Sequence, residues 1–177
     1  VEHVSGDLPT MVEVGLSTAK VTQEVLLRDT ADAIASLEKG EVTPAFKRVA
    51  ESIVAVAGTV GGFAGEYGRM AGAHAVHNGM SLVSETHDFE HGVKVAYGVL
   101  VQLVADNKMD DVATLLPFYR DNGFPYKLSA FNVTSGLEGK IRQVAEFAAS
   151  DKETFNLAVP GVTTEQVFQA MQYLEQV

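Results

Sequence analysis

Hydrophobic residues recur every three or four positions along most of the chain, the spacing that places them on one face of an α-helix. The longest such series is Phe46, Val49, Ala50, Ile53, Val56, Ala57 and Val60. Thr43-Pro44 is predicted to begin this helix, because proline at the first helical position gives up only an N–H that has no partner there. Gly40 is predicted to end a preceding helix that starts near Asp29, and a first helix is predicted after Pro9.

The second half of the chain has the same helical character. Residues 93–105 are apolar on nearly every side, which predicts a buried central helix, and residues 109–122 form the next one. Capping boxes are predicted at residues 135–138 and 163–166, and Asn78-Gly79 is interpreted as a helix stop. No stretch alternates as a strand does, and no linker is long enough to divide the chain. The sequence therefore predicts one all-α domain over residues 1–177.

Composition excludes several classes of function. The chain has 13 Lys and Arg against 23 Asp and Glu, and this net charge of −10 repels phosphate backbones, so we expect no nucleic-acid partner. No apolar run is long enough to span a membrane, and the first residues lack the pattern of a signal peptide. The absence of cysteine excludes disulfides, thiolate zinc sites and cysteine nucleophiles. A cytoplasmic protein without a membrane partner fits these observations.

Histidine is the residue type with the clearest chemical potential. Four of the five histidines fall within eighteen residues, namely His74, His77, His87 and His91. His74 and His77 share one face of a helix, and His91 lies at the start of the central helix, where the positive helix end favours a neutral ring. Two neutral imidazoles could supply half of a zinc or iron site. The alternative is that His87 and His91 are solvated while His74 and His77 are satisfied within the core.

A glycine-rich stretch covers residues 58–65 and resembles a phosphate-binding loop only in composition. It follows a helix rather than a strand, lacks the G-x-G-x-x-G order, and has no Gly-Lys-Ser/Thr ending. Its glycines are therefore interpreted as sites of close backbone packing. A substrate pocket beside the histidines is the alternative.

Two histidine-containing motifs resemble a known family. The sequence A-H-A-V-H-N-G over residues 73–79 and T-H-D-F-E-H-G-V-K-V-A-Y-G over 86–98 resemble the C-terminal domain of glycerol dehydrogenases. These enzymes belong to the iron-containing alcohol dehydrogenase superfamily, which includes dehydroquinate synthase. G-E-V-T-P-A at 40–45, G-F-P at 123–125 and K-I-R-Q-V-A-E at 140–146 agree. The resemblance covers roughly residues 10–175.

The resemblance implies a helical metal-binding domain that follows a nucleotide-binding α/β domain, which is absent from this chain. By position in the motifs, His74 and His91 are implied to bind a divalent metal, zinc or iron, together with an aspartate from an earlier helix. The metal polarises an alcohol or carbonyl while NAD(P), held by the absent domain, exchanges hydride. His77, one turn from His74, could lie behind the ligands or relay a proton.

The chain departs from the family pattern in ways that affect its predicted function. Because it begins with Val1 and lacks the aspartate-bearing helix, we expect the isolated chain to be nearly inactive. Gly92-Val-Lys94 replaces the more usual Gly-Glu-Lys, and together with G-G-F-A-G-E-Y-G at 61–68 it resembles glycerol-dehydrogenase-like proteins that reduce 2-oxo acids. The resemblance therefore implies a 2-hydroxy acid or an alcohol such as glycerol as the substrate. The alternative is a stand-alone helical module for binding or oligomerisation. In either case the protein is expected to form a homo-oligomer.

Overall fold

The structure, a computed structural model, describes residues 7–177 apart from the side chain of residue 66. Within this range it is helical and contains no strand, which confirms the all-α prediction. The chain divides into two compact units, the first ending at Arg69 and the second running from Met70 to Val177. The predicted single domain over residues 1–177 includes residues 1–6, which lie outside the described residues, and it stays a prediction.

The described part of the first unit is built from α1 (Thr10–Glu38), α2 (Pro44–Glu51) and α3 (Ala57–Ala64). A π-helical turn over Ser52–Val56 joins α2 to α3, and a 3₁₀ turn over Gly65–Gly68 follows. Thr43 caps α2 as predicted, since its hydroxyl accepts a hydrogen bond from the N–H of Phe46.

The first helix differs from the sequence prediction. The pattern predicts two helices before Gly40, whereas α1 is one continuous helix of 29 residues. No glycine or proline lies between Gly15 and Gly40, so nothing interrupts its backbone hydrogen bonds. The helix ends where predicted, because Gly40 adopts a φ of +68° that few other residues tolerate.

One buried carboxylate joins two helices of the first unit. Asp29 on α1 accepts hydrogen bonds from Arg48 on α2 at 2.7 Å and from Arg28 at 2.8 Å. The hydrogen bond from Arg48, followed by that from Arg28, holds the pKa of Asp29 well below its usual range. Asp29 and Arg48 therefore form a specific tertiary contact between α1 and α2.

Glycines of the first unit allow close packing at particular positions. A Cβ on Gly68 would lie 2.6 Å from the carbonyl oxygen of Val60, and one on Gly15 would lie 2.7 Å from the Cβ of Ala64. Gly58 and Gly62 border open space instead. Close packing therefore accounts for part of the glycine content near residues 58–68.

The second unit places its helices around an apolar core. Its helices are α4 (Gly72–Met80), α5 (His91–Ala105), α6 (Met109–Asp121), α7 (Leu137–Ala148), α8 (Phe155–Ala158) and α9 (Thr164–Gln176), with 3₁₀ turns at Ser84–Thr86 and Leu128–Phe131. Residues 93–105 include no exposed position, which confirms the predicted central helix. The largest fully buried side chains are Tyr97, Phe131, Phe155, Met80 and Leu100.

The two predicted capping boxes have different outcomes. At the start of α9 the Thr163 hydroxyl accepts from the N–H of Gln166, while the Gln166 side chain accepts from the N–H of Thr163, which confirms the prediction. The box predicted at Ser135 is wrong. Gly136 precedes α7 in a left-handed conformation at φ +61°, and no side chain caps the helix.

The predicted stop at Asn78-Gly79 is displaced by one residue, because α4 continues to Met80. Gly79 lies inside the helix, where a Cβ would come within 2.7 Å of the carbonyl oxygen of Val144 on α7. This glycine therefore allows α4 and α7 to approach and does not end the helix. None of the helices in the described part of the chain is both long and apolar enough to cross a membrane.

Candidate metal centre

Two histidines lie at the edge of the core on α4. The buried residues Ala75 and Val76 face the interior, and His74 and His77 lie half-buried beside them. The start of α4 is fixed by Gln102 on α5, whose side-chain oxygen accepts a hydrogen bond from the N–H of Ala73 at 3.0 Å. The predicted shared face of His74 and His77 is thereby directed to the side of α4 that adjoins α5.

His91, the first residue of α5, brings a third imidazole to this place. Its ring centroid lies 5.6 Å from that of His74 and 4.4 Å from that of His77, which it meets edge to face at 70°. The Nδ1 atom of His91 lies 3.2 Å from the Nε2 atom of His77. Two helices therefore bring together the three histidines that the sequence analysis singled out as ligands or neighbours of ligands.

The environment favours the neutral form of the two histidines on α4. Burial lowers the pKa of His74, and the ring of His91 adds to this effect. Burial also lowers the pKa of His77, against the opposing effect of its hydrogen bond to Asn78. A neutral imidazole keeps the lone pair that a metal ligand needs.

The fourth histidine of the cluster in sequence takes no part in this arrangement. His87 is exposed in the segment before α5, and its Nε2–H donates to the carbonyl oxygen of Ser81 at 2.8 Å. This agrees with the alternative in which His87 is solvated. His91 is exposed as well, as that alternative predicts, but its ring contacts the rings of His74 and His77.

Asn78 and Glu153 extend the histidine group beyond the predicted residues. Asn78 lies beside His77, with its side-chain oxygen 3.1 Å from His77 Nδ1. Its side-chain nitrogen donates to both carboxylate oxygens of Glu153, at 3.0 Å and 3.3 Å. Glu153 lies in the loop after α7, and no sequence signal connects it with a motif 75 residues earlier.

The donors present suit part of a metal site. Neutral imidazole nitrogens on adjacent helices are the ligands that zinc and iron accept in proteins. However, no group of three or more histidine, aspartate or glutamate side chains among the described residues has an arrangement that could hold a metal ion. His74 and His91 therefore fit two positions of a metal site, and the third ligand implied by the family resemblance has no counterpart in this group.

Comparisons with known proteins agree in sequence and in fold. The chain is 37% identical over 165 residues to a glycerol dehydrogenase of Pseudomonas putida, a match that covers 93% of this chain and 44% of the relative. It is 31% identical over 168 residues to hydroxycarboxylate dehydrogenase A of Escherichia coli, covering 95% of this chain and 46% of the relative. No protein-family profile matches the chain.

A solved structure of a probable glycerol dehydrogenase from Sinorhizobium meliloti superimposes with a TM-score of 0.82 and 30% identity, covering 93% of this chain and 45% of that one. The glycerol dehydrogenase of Schizosaccharomyces pombe gives a TM-score of 0.78 and 26% identity, covering 92% and 41%. The chain thus spans less than half the length of these relatives. Over nearly its whole length, it resembles in sequence and in fold the C-terminal helical part of glycerol dehydrogenase-like proteins.

Proposed function

We propose that this chain is the metal-binding helical part of an NAD(P)-dependent dehydrogenase that interconverts a small alcohol and its carbonyl. The observation that carries this proposal is the meeting of His74, His77 and His91 on two packed helices, in motifs that resemble those of glycerol dehydrogenases. The similarity of the whole chain to enzymes of this name supports it. The nicotinamide cofactor would be held by a nucleotide-binding domain outside this chain.

His74 and His91 are the two residues that would hold a divalent metal, zinc or iron. The lowered pKa of His74 keeps its lone pair available near neutral pH, and the position of His91 at the exposed start of α5 leaves its ring accessible. Such a metal, when bound, polarises an alcohol or carbonyl oxygen so that hydride exchange with a nicotinamide is favoured. His77 would orient His91 through their shared hydrogen bond, or pass a proton along it.

The substrate class rests on the relatives. The relatives that are named glycerol dehydrogenase support glycerol or a similar small alcohol as the substrate of this protein. Two other relatives, hydroxycarboxylate dehydrogenase A and a glycolaldehyde reductase of Halobacterium salinarum that is 32% identical over 167 residues, support 2-hydroxy acids and hydroxyaldehydes. The Gly92-Val-Lys94 sequence beside His91 and the G-G-F-A-G-E-Y-G stretch at 61–68, by their resemblance to proteins that reduce 2-oxo acids, support a 2-hydroxy acid.

A second candidate function is a stand-alone helical module for binding or oligomerisation. The observation that favours it is the lack of a third ligand beside the histidines within residues 7–177. The retained histidine group argues against it, because a module that only packs against a partner has no need of three converging imidazoles. A homo-oligomer is expected under both proposals.

The protein expressed from its natural gene distinguishes the two proposals. The dehydrogenase proposal predicts an intact mass about twice the 18.9 kDa of this chain, since the relatives are more than twice as long. It also predicts one divalent metal per chain and NAD(P) reduction with glycerol or a 2-hydroxy acid. A product of 18.9 kDa that reduces neither nicotinamide cofactor would contradict it and support the stand-alone module.

A further inference from the structure

A continuous series of hydrogen bonds leads from a distant carboxylate to the histidine that begins α5. It runs from Glu153 to the side-chain amide of Asn78 at 3.0 Å, from Asn78 to His77 at 3.1 Å, and from His77 to His91 at 3.2 Å. All four residues belong to the second unit. The chemistry of each group fixes which of its atoms donates.

The carboxylate of Glu153 determines the orientation of Asn78. An ionised carboxylate only accepts hydrogen bonds, so the side chain of Asn78 must turn its NH₂ group towards Glu153. Its oxygen then faces the other way, where it lies 3.1 Å from the Nδ1 atom of His77. Because that oxygen can only accept, Nδ1 of His77 must carry the proton.

The tautomer of His77 in turn determines that of His91. A neutral ring protonated at Nδ1 has its lone pair on Nε2, and this atom of His77 faces Nδ1 of His91 at 3.2 Å. His91 must therefore donate from Nδ1. Its Nε2 atom is left without a proton and with a free lone pair. Burial lowers the pKa of His77, which agrees with a neutral ring in the middle of the series.

The loop that carries Glu153 is itself attached to α4. The N–H of Glu153 donates to the carbonyl oxygen of Ser150 at 3.0 Å, which closes a turn at the end of α7. The hydroxyl of Thr154 donates to the carbonyl oxygen of Ala71 at 3.0 Å, just before α4 begins. The hydrogen bond from Thr154 attaches this loop to the start of α4, and the carboxylate of Glu153 contacts Asn78 near the end of the same helix. The position of the carboxylate is therefore fixed by the backbone of its loop as well as by its own side chain.

We propose that Glu153 is a positioning residue which, through Asn78, sets the tautomers of His77 and His91 so that His91 offers its Nε2 atom as a ligand. The tautomers follow from this chain's own hydrogen bonds, and only their use by a metal rests on the proposed function. Carboxylates and amides behind metal-binding histidines fix ring orientation and tautomer in many metal sites.

The tautomers can be observed directly in the metal-free 177-residue chain. With histidine labelled by ¹⁵N, long-range ¹H–¹⁵N correlation spectra at a pH where the rings are neutral distinguish a ring protonated at Nδ1 from one protonated at Nε2. Substitution of each histidine in turn assigns the signals. We expect His77 and His91 both to be protonated at Nδ1, and a dominant Nε2–H form in either ring would overturn the proposal.

Variants of the loop test the role of the carboxylate. Glu153→Ala frees Asn78 to rotate, and Glu153→Gln offers Asn78 an amide that can donate as well as accept, so in both variants the two rings should change to a mixture of tautomers. Asp151→Ala removes an exposed carboxylate from the same loop and serves as the control. Wild-type tautomers in Glu153→Ala would contradict the proposal. If that variant does not fold, the spectrum of the wild-type chain decides the question alone.

Metal affinity separates this inference from the proposed function. In the protein expressed from its natural gene, Glu153→Ala should weaken Zn²⁺ binding by about 10–100-fold, the usual effect of losing a partner behind a ligand. Expected tautomers together with no binding of Zn²⁺ to the histidines would overturn the proposed function and leave the positioning role intact. Binding of Zn²⁺ by rings of the opposite tautomer would overturn the positioning role.

Discussion

A Cβ atom on Gly98 would lie 2.3 Å from the carbonyl oxygen of Ala73, far closer than side-chain carbons approach backbone oxygens. Ala73 immediately precedes His74 on α4, and Gly98 follows His91 by about two turns of α5. The missing side chain therefore allows these helices to pack backbone to backbone. In the same pair of helices the ring of His91 lies within hydrogen-bonding distance of His77.

Replacing Gly98 by alanine should therefore separate α4 from α5. We expect Gly98→Ala to lower the free energy of unfolding by at least about 1–3 kcal/mol, the usual cost of overfilling a packed interior, and to weaken the contact between His77 and His91. Urea denaturation measures the first effect and histidine NMR the second. Gly139→Ala, on the open face of α7, is the matched control and should stabilise the protein by roughly 0.5–1 kcal/mol. Equal effects of the two substitutions would contradict the packing argument.

The two helix starts that the sequence predicts as capping boxes should respond differently to mutation. Thr163→Ala removes the hydroxyl that accepts from the N–H of Gln166, and should lower the free energy of unfolding by about 0.5–2 kcal/mol. Ser135→Ala should have almost no effect, because no side chain caps α7. Thermal unfolding of both variants measures this difference, and a comparable loss in Ser135→Ala would restore the predicted box.

The contact between Asp29 and its two arginines should make the first unit sensitive to acid. Because hydrogen bonds from Arg48 and Arg28 lower the pKa of Asp29, its stabilising effect is present above the unfolded aspartate pKa of about 3.9 and is lost as the pH falls from there towards the folded pKa. Asp29→Asn should lower the melting temperature at neutral pH. The further fall in melting temperature on acidification should be smaller in this variant than in the wild-type chain.

Asp32, an exposed carboxylate on the same helix, provides the control for this measurement. Asp32→Asn should leave both the melting temperature and its pH dependence close to those of the wild-type chain. If Asp29→Asn and the wild type lost stability in parallel between about pH 5 and pH 3, another carboxylate would carry the acid sensitivity.

Loss of either proposed ligand should abolish most of the activity of the natural gene product. His74→Ala or His91→Ala is expected to lower turnover by at least about 3–4 kcal/mol of transition-state stabilisation, or roughly 10²–10³-fold. Metal content and steady-state kinetics should be measured together. His87→Ala is the control, since His87 hydrogen-bonds to Ser81 away from the other three rings. Near-wild-type turnover with retained metal in His74→Ala or His91→Ala would exclude that residue as a ligand.

Much of the fold follows from the sequence because helices leave a local signal. Two predictions that use only residues a few positions apart are confirmed. They are the buried central helix over residues 93–105 and the capping box at Thr163. The division of α1 into two helices is wrong because no glycine or proline interrupts the backbone between Gly15 and Gly40. The box at Ser135 is wrong because the left-handed Gly136 separates that side chain from the first turn of α7.

The candidate site could be predicted only in part for the same reason. The spacing of His74 and His77 predicts a shared helix face, and the motif resemblance adds His91. The distance of 3.2 Å between His77 and His91 depends on the packing of two helices at Gly98, which no local pattern encodes. Glu153 leaves no signal of its role in the sequence, because its partner Asn78 lies 75 positions earlier, in α4, and the loop that carries Glu153 has an ordinary composition.

The bond between Asn78 and Glu153 also has a consequence for the order of assembly. These residues are 75 positions apart, so their contact closes a long loop and cannot form before α5, α6 and α7 have been synthesised. A nascent chain that ends before residue 153 contains every histidine of the group and still lacks the carboxylate that orients them. The chemistry of the histidines is therefore completed only after the loop that follows α7 has left the ribosome.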